Sequence, residues 1–278
     1  EIMIASISAA MNRIPIAHIH GGESTEGLID ELLRHSITKL SQIHFTSCDF
    51  YKKRIVQMGE NPKNIFNVGS PGVEAIKKIK LFTKSELERS MNIKLMKKNI
   101  IISYHPETLD LKSSKKNFTE ILKALESLKE TLIIFTMPNS DEGSEFIFTH
   151  IKKFLKRKKN SYLIKSLGQR RFFSCLKYFD FIIGNSSSGI IEMPSFNKAT
   201  INIGPRQNGR VRNKTIIDVD GNSKKIMRAI NLAYSDKFKK ILKNSKNIFD
   251  NGNTSDKIFK KIRSINSKKI LIKKFYDL

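Results

Sequence analysis

The segment 184–189, Gly-Asn-Ser-Ser-Ser-Gly, has residue types suited to binding phosphate. It lies between two apolar runs, 179–183 and 190–196, so we expect a strand, a tight turn and the start of a helix. At such a junction the unpaired N–H groups of the first helical turn, the positive end of the helix dipole and small hydroxyl groups converge on one point. A Gly/Ser turn can equally close a helix without binding anything. The candidate diphosphate-binding residues are Asn185, Ser186, Ser187 and Ser188, with Glu192 one turn further on, within reach of sugar hydroxyls.

Two arginines lie in a glycine-containing turn at 204–210, Gly-Pro-Arg-Gln-Asn-Gly-Arg, directly after a predicted strand at 200–203. A guanidinium group can donate paired N–H bonds to phosphate oxygens. Single surface arginines are common, whereas two in one turn after a buried strand are less so. This turn adds Arg206, Gln207 and Arg210 to the candidate anion-binding residues.

Carboxylates gather around a third strand end and the helix start that follows it. Asp30 and Arg34, like Glu31 and His35, stand four residues apart, and so share one face of a helix. The two carboxylates could do acid/base chemistry and Arg34 could bind the UDP-sugar. Alternatively, the four side chains simply pair with each other at a helix start, where each pair contributes only tenths of a kcal/mol.

Glu23 differs from these, because it follows two glycines at a strand end where nothing local needs a carboxylate. A metal site built from Glu23, His18, His20 and His35 is a poor alternative. The two histidines that alternate along the strand point to opposite faces of the sheet. We therefore expect no metal.

Two further strand ends carry polar side chains. His105 follows the apolar run at 100–104, where an imidazole could serve an active site or simply hydrogen-bond within a loop. The segment 137–143, Met-Pro-Asn-Ser-Asp-Glu-Gly, offers the amide of Asn139 and the carboxylate of Asp141 next to a predicted helix. Helix capping by Ser140 or Asp141 explains that segment adequately.

Short β-rich runs alternate with amphipathic runs along the whole chain, which indicates parallel sheets with helices on both faces, an α/β fold. We predict strands at 14–19, 43–46, 65–68, 100–104, 132–136, 162–164, 179–183 and 200–203, and helices at 30–40, 117–128 and 144–155. In such sheets ligands bind beyond the carboxyl ends of the strands, where these polar motifs lie. The polar interval 77–98 predicts a boundary between two domains, residues 1–82 and residues 83–278, the second including the C-terminal helices.

Composition narrows the class of protein. A chain of 278 residues can form two domains of about 100–150 residues. Its 51 Lys+Arg against 26 Asp+Glu would attract anionic substrates, but the lysines are spread out without interleaved aromatic residues, so we expect no nucleic acid partner. The two cysteines suit neither a disulfide framework nor a zinc site. Without an apolar run of about 20 residues or a signal peptide, we expect a cytoplasmic protein with no membrane contact.

Together the motifs resemble those of the hydrolysing UDP-N-acetylglucosamine 2-epimerases, in order and over nearly the whole chain. They are His-Ile-His-Gly-Gly-Glu, Ile-Asp-Glu-x-x-Arg-His, His-Pro-x-Thr, Pro-Asn-x-Asp-x-Gly, Gly-Asn-Ser-Ser-Ser-Gly and Arg-Gln-x-Gly-Arg. The resemblance implies a GT-B fold of two Rossmann-like domains with a UDP-sugar in the cleft, and a reaction without metal or cofactor. UDP is eliminated to give a glycal, and water then adds to yield N-acetylmannosamine for sialic-acid synthesis.

The resemblance also implies roles for individual residues. It assigns Ser186, Ser187, Glu192 and Arg206 to UDP, places His105 and Asn139 in the cleft, and makes Glu23, Asp30 and Glu31 the acid/base candidates. Which carboxylate removes the proton stays open. The family is often oligomeric, which favours a dimer.

One departure from the family bears on activity. Family members carry a strand, a Gly/Thr/Arg-bearing turn, further βα units and a Gly-Asp-Arg segment ahead of the residue that matches Glu1. The first domain is therefore expected to be incomplete, and we hypothesise that this chain binds UDP but fails to turn over.

Three alternatives remain at this point. A related 2-epimerase acts on a UDP-2,4-diacetamido-trideoxyhexose of the legionaminic-acid pathway. A GT-B glycosyltransferase would need an acceptor cleft, and the carboxylates after residue 19 favour elimination instead. A non-catalytic, basic protein that binds UDP or nucleic acid belongs to a different class. Release of UDP without any acceptor distinguishes them.

Overall fold

The computed structural model describes residues 1–266 and 269–278. Contacts divide the chain into two compact units. Unit 1 comprises residues 1–77, 209–211 and 248–278, and unit 2 comprises residues 78–208 and 212–247. The contacts thus join residues 248–278 to unit 1, whereas the predicted domains group them with the second half. Because compact units are defined by contacts alone, the domain boundary after residue 82 stays a prediction.

The elements alternate between strand and helix along most of the chain. The strands are β1 (Ala17–Ile19), β2 (Ile43–Thr46), β3 (Ile65–Asn67), β4 (Lys98–Ser103), β5 (Thr131–Thr136), β6 (Ser161–Ile164), β7 (Phe181–Gly184), β8 (Ala199–Ile203) and β9 (Ile216–Val219). The helices are α1 (Ile2–Met11), α2 (Asp30–Leu40), α3 (Asp49–Gln57), α4 (Pro71–Lys78), α5 (Lys84–Met91), α6 (Leu111–Glu126), α7 (Ser144–Arg157), α8 (Gly168–Tyr178), α9 (Ser187–Ile191), α10 (Ser223–Tyr234), α11 (Asp236–Lys243) and α12 (Thr254–Arg263). Short 3₁₀ helices cover Pro62–Asn64, Met193–Phe196 and Pro205–Gln207.

Unit 1 contains a parallel sheet, which within the described residues has three strands in the order β1-β2-β3. The central strand β2 is buried along its whole length, and Phe45 packs there with Val68. The predicted strand at 43–46 is confirmed, whereas β1 is shorter than the predicted 14–19. The N–H of Ile16 bonds to the side chain of Gln42, and the ladder with β2 therefore begins only at Ala17.

Unit 2 contains a parallel sheet that, in the described part of the chain, has six strands in the order β6-β5-β4-β7-β8-β9. Apolar side chains from the central strands and from α6, α7 and α10 form its core, including Ile102, Phe118, Phe135, Ile183, Ile201 and Ile230. The runs predicted at 100–104, 132–136, 162–164, 179–183 and 200–203 each fall on a strand of this sheet. The edge strand β9 was not predicted, because only four residues pair there and one is Asp218.

Two of the three predicted helices begin where predicted: α2 at 30, and α7 at 144, which ends two residues beyond the predicted 155. Helix α2 has the predicted bounds, 30–40. Helix α6 begins six residues before the predicted 117, because Asp110 caps it by accepting the N–H of Ser113 at 3.0 Å, and its polar first turns hide the apolar period. The capping assigned to Ser140 or Asp141 was wrong: α7 begins at Ser144 after Gly143, whose φ of 89° closes the preceding turn.

Because the strands of each sheet run parallel, the loops that follow them lie along one edge of that sheet. In unit 2 this edge carries the loops after β4, β5, β6, β7 and β8. In unit 1 it carries the loops after β1 and β2. Among the described residues, no helix combines the length and the apolar character needed to cross a lipid bilayer.

Candidate functional site

The segment 184–189, called the serine turn below, joins β7 to α9 as predicted. Gly184 has φ of 141°, and a Cβ on it would lie 1.9 Å from the carbonyl oxygen of Ser103, so the turn requires glycine there. Ser186 is the N-cap of α9 and accepts the N–H of Ser188 at 3.4 Å. The half-buried hydroxyls of Ser186, Ser187 and Ser188 therefore lie at the start of a short helix.

Asn185 is fully buried and ties the serine turn to the neighbouring loops. Its Oδ1 accepts the N–H of His105 at 2.8 Å, and its Nδ2 donates to the carbonyl of His105 at 2.9 Å. Its own carbonyl accepts from Nη1 of Arg206 at 3.0 Å and from Nε2 of Gln207 at 2.8 Å. Asn185 and Gln207, both predicted to bind UDP, thus hold the loops together, and any direct contact with a ligand stays a prediction.

His105 is neutral at physiological pH and has a defined tautomer. Burial, and then the charge of Arg206, lowers the pKa of His105 to about 4. Its Nδ1 lies 3.1 Å from the backbone N of Asn139 and accepts that N–H. A neutral imidazole that accepts at Nδ1 carries its hydrogen on Nε2. His105 therefore presents an N–H donor, and Arg206 a cation, at the same sheet edge.

Asn139, Asp141 and Glu107 also lie at this edge of the sheet. The amide of Asn139 donates to the carboxylate of Asp141, so these two predicted residues are together. Glu107 was missed; it is 1% exposed, burial raises its pKa, and its Oε1 accepts from Tyr104 at 3.4 Å and from Asn185 at 3.5 Å. The predicted strand before this segment ends immediately before His105 and indicated that residue alone.

A cavity of about 330 Å³ opens at the same edge of unit 2. Most residues of its lining were not predicted from sequence, although the Ser-Leu-Gly turn after the predicted strand at 162–164 could have indicated a binding loop. It is lined by Ser103, His105, Thr136, Met137, Ile164, Lys165, Ser166, Leu167, Gly168, Gln169, Phe172, Phe173 and Ser188. The cavity therefore adjoins both His105 and the serine turn.

In unit 1, Glu23 is 2% exposed and has three polar partners. Its Oε1 lies 2.6 Å from Nδ1 of His20 and accepts the hydroxyl of Ser47 at 3.1 Å. Its Oε2 accepts from Nη1 of Arg210 at 2.5 Å. Burial raises the pKa of Glu23, but the Arg210 charge and the His20 hydrogen bond outweigh burial and lower it to about 2. Glu23 is therefore ionised.

Arg210 belongs to unit 1, whereas Arg206 belongs to unit 2. The guanidinium of Arg210 neutralises Glu23, and the sharing of one phosphate site by Arg206 and Arg210 stays a prediction. Tyr51 holds the same segment by accepting the N–H of Val211 at 3.0 Å. A role for Arg210 in binding UDP stays a prediction.

Glu31 and Asp30, at the start of α2, differ in their surroundings. Glu31 accepts from Ser24 at 2.6 Å, from the N–H of Thr25 at 2.5 Å and from Nε2 of His35 at 3.0 Å. Burial opposes these hydrogen bonds, which nevertheless lower the pKa of Glu31. Asp30 is exposed, and its carboxylate makes no hydrogen bond to any described residue. The three residues Glu23, Asp30 and Glu31 are called the carboxylate cluster below.

Of the two pairs expected at this helix start, Asp30–Arg34 and Glu31–His35, the described residues form only the second. Glu31 pairs with His35, whereas Arg34 donates to Thr25 at 2.9 Å and lies 3.5 Å from Glu31 instead of pairing with Asp30. In the part of the chain that the structure describes, no group of three or more His, Cys, Asp or Glu residues could hold a metal ion. Independence from metal stays a prediction.

Relatives of known name match the chain over its whole length. A polysialic acid biosynthesis protein of Escherichia coli is 42% identical over 280 residues, which cover 100% of this chain and 71% of that protein. The hydrolysing GDP/UDP-N,N'-diacetylbacillosamine 2-epimerase of Campylobacter jejuni is 41% identical over 281 residues, covering 100% of this chain and 72% of that protein.

The fold is that of a solved UDP-N-acetylglucosamine 2-epimerase. The structure of the Neisseria meningitidis enzyme bound to UDP-N-acetylglucosamine superposes with a TM-score of 0.81 at 20% identity, over 95% of this chain and 73% of that one. The predicted GT-B class, with parallel α/β sheets, is confirmed. A family profile described as UDP-N-acetylglucosamine 2-epimerase matches residues 1–263. The chain belongs to the UDP-N-acetylglucosamine 2-epimerase family and, like its hydrolysing relatives, is an enzyme of nucleotide-sugar metabolism.

Proposed function

We propose that this protein hydrolyses UDP-N-acetylglucosamine with inversion at C2, releasing UDP and N-acetylmannosamine for sialic-acid-type surface polysaccharides. The observation that carries the proposal is the donor set at the sheet edge of unit 2. It combines the cation of Arg206, the Nε2–H of neutral His105 and the hydroxyls of the serine turn. Fixed donors of this kind stabilise the charge that develops on a departing diphosphate.

The cavity beside these donors supports a nucleoside diphosphate as the ligand. Its volume of about 330 Å³ lies within the range of ligand pockets, roughly 300–1,000 Å³. Phe172 and Phe173 offer aromatic surface to a base, and the turn around Gly168 offers backbone polar groups. We therefore assign the uracil to this cavity and the diphosphate to Ser186, Ser187, Ser188 and Arg206, with Glu192 at sugar hydroxyls.

The chemistry of elimination requires a group that takes the weakly acidic proton from C2. The carboxylate cluster of unit 1 supplies candidates for this group and for the group that activates water in the step that follows. Glu23, with a pKa near 2, is a weak proton acceptor at neutral pH, and hydrogen bonds also lower the pKa of Glu31. The hydrogen bonds of Glu23 and Glu31 suit these residues to orienting other groups, whereas the carboxylate of Asp30 makes no such bond to a described residue.

A second substrate deserves the same test, because two relatives carry its name. UDP-N,N'-diacetylbacillosamine 2-epimerases from Campylobacter jejuni and Legionella pneumophila are 41% and 36% identical to this chain. The UDP-N-acetylglucosamine 2-epimerase of Neisseria meningitidis is 34% identical over 231 residues. The two sugars differ at C4 and C6, so the groups near those carbons decide between them.

The cellular setting is part of the proposal. Cys48 and Cys175 are buried free thiols, which suits a reducing compartment such as the cytoplasm. We further propose a homo-oligomer that has no nucleic acid or membrane partner. The oligomeric state can be tested by light scattering and the compartment by cell fractionation. Neither result depends on the reaction.

The test is incubation of the full chain with each UDP-sugar in turn, without any acceptor. We expect UDP and the free 2-epimeric sugar in equal amounts, and His105→Asn is expected to lower the rate about 100-fold because it removes one stabilising donor. His150→Asn is the matched control, since within the described residues His150 bonds to the carbonyl of Phe146 and stacks on its ring, both on its own helix. Tight UDP binding without any release of UDP from either sugar would contradict the proposal and support the hypothesis, made from sequence, that this chain binds UDP but fails to turn over.

A further inference from the structure

His20 has an unusual position in unit 1. It follows β1 directly and has φ of 66°, a left-handed conformation that non-glycine residues seldom adopt and that clusters at functional sites. Its N–H donates to the carbonyl of Phe45 at 2.9 Å, which fixes the backbone there. One third of its side chain, 33%, is exposed, against 3% for its partner Glu23.

The contacts of Glu23 determine where the proton of His20 resides. Glu23 receives hydrogens from Arg210 at 2.5 Å and from Ser47 at 3.1 Å, so it is a carboxylate that only accepts. Nδ1 of His20, 2.6 Å from the same carboxylate, must therefore carry the hydrogen. A neutral His20 then keeps a lone pair on Nε2, which has no hydrogen-bond partner among the described residues.

The other histidines of unit 1 lack this combination of a carboxylate partner at one ring nitrogen and an exposed second nitrogen. His18 lies 3.2 Å from the hydroxyl of Thr38, and His44 is fully buried against Glu60. His35 uses Nε2 to bond Glu31, and its Nδ1 is buried. A carboxylate that orients an imidazole and leaves its second nitrogen open is the arrangement of a general base.

We propose that His20 is the group that accepts the C2 proton of the UDP-sugar, with Glu23 as its positioning residue. This inference rests on the proposed function. Nε2 of His20 takes the proton from C2, and the C–H electron pair forms the C1=C2 bond of the glycal. The bond from C1 to the diphosphate oxygen breaks, and its electron pair leaves with UDP. The ring becomes an imidazolium, which Glu23 stabilises through Nδ1.

The first test does not depend on turnover. Nitrogen-15 NMR of the full chain, with the His20 signal assigned by its loss in His20→Asn, distinguishes the two neutral tautomers of the ring. We expect hydrogen on Nδ1 at a pH where the ring is neutral. Hydrogen on Nε2 would overturn the proposal, because the base would then have no lone pair at its exposed nitrogen.

The second test is the rate of UDP release by His20→Asn and by the control His150→Asn. Asparagine tolerates positive φ, so the first variant keeps the turn. We expect its rate to fall at least 100-fold while UDP affinity stays within twofold, and we expect added imidazole to restore part of the rate in His20→Ala. The control should match the unmodified protein within twofold.

The outcomes separate the two proposals. An active protein whose His20→Asn variant stays within threefold of it would overturn the role of His20 and leave the proposed function standing. A well-folded protein that binds UDP but releases none from either sugar would contradict the proposed function, and the role of His20 with it.

Discussion

The serine turn of unit 2 and the carboxylate cluster of unit 1 occupy equivalent places, the carboxyl edge of a parallel sheet, yet they are built in opposite ways. The serine turn depends on backbone: Gly184 is held against Ser103, and the buried side chain of Asn185 bonds to a neighbouring loop. The carboxylate cluster depends on side chains, and Glu23 is held by Arg210, 187 residues away in sequence.

This difference separates binding from proton transfer. The backbone-built turn leaves cationic and N–H donor groups at the edge of unit 2, which suit a diphosphate. The side-chain-built cluster leaves ionised carboxylates and an oriented imidazole, which suit a proton. Replacing Arg206 in the first region should therefore lower UDP affinity, whereas replacing Arg210 or His20 in the second should change stability or rate.

The largest effect is expected from Arg210→Met, which leaves the buried carboxylate of Glu23 without its cation. Breaking a buried ion pair costs about 3–5 kcal/mol of unfolding free energy. Urea unfolding would measure the loss. Lys77→Met is the control in the same unit, because Lys77 is 57% exposed where it pairs with Asp250, and it should cost less than about 1 kcal/mol. Equal losses in the two variants would show that the Glu23 pair is not a buried one.

Next in size is Gly184→Ala in the serine turn. A methyl group there meets the backbone of Ser103 and also disfavours the φ of 141°, so we expect a loss of about 3 kcal/mol in urea unfolding. Gly252→Ala is matched to it, since Gly252 has φ of 61° but no atom within 4 Å of the added carbon. That control should cost only about 1–2 kcal/mol, and a similar loss in both would mean that the close contact with Ser103 is unimportant.

Arg206→Met tests the binding half of the comparison. Charge-assisted hydrogen bonds contribute about 1.5–3 kcal/mol, so the affinity for UDP should fall roughly 10–100-fold in calorimetry. Arg206→Lys should keep part of the affinity, because lysine retains the charge without the paired donors. The exposed Arg228 of α10 provides the control, and Arg228→Met should bind UDP normally. Unchanged affinity in Arg206→Met would remove the diphosphate from this edge.

The smallest effect is a dependence of stability on pH that His105 contributes in unit 2. Burial, and then the charge of Arg206, lowers the pKa of His105 from 6.5 to about 4, so the unfolded chain binds the proton more readily. The contribution of His105 to the free energy of unfolding is fully present above about pH 6.5. It falls as the pH decreases towards 4, by about 2 kcal/mol between pH 7.5 and 5. His105→Asn should remove that part of the slope, while His150→Asn keeps it. Identical slopes in both variants would contradict the lowered pKa.

The features that could be predicted from sequence are those with local causes. Apolar runs located β4, β5, β7 and β8, and the contiguous Gly/Ser segment identified the serine turn before any contact was known. Helix α2 was predicted because its apolar period and its acidic first turn lie in one uninterrupted stretch.

The features that could not be predicted depend on residues distant in sequence. Nothing near Arg210 indicates that it pairs with Glu23, and its neighbour Arg206 suggested a shared phosphate site. The tautomer of His105 depends on the backbone N–H of Asn139, 34 residues further on. For the same reason, His20 was considered only as a metal ligand, because its hydrogen bond to an ionised Glu23 becomes meaningful only when Arg210 is in place.

The most direct test of the central claim is the fate of the C2 hydrogen during turnover in D₂O. The account predicts that the free sugar carries deuterium at C2, has the inverted configuration there, and appears together with an equal amount of UDP. Free sugar that retains its C2 hydrogen or its original configuration would contradict the account, because the bond at C2 would never have been broken.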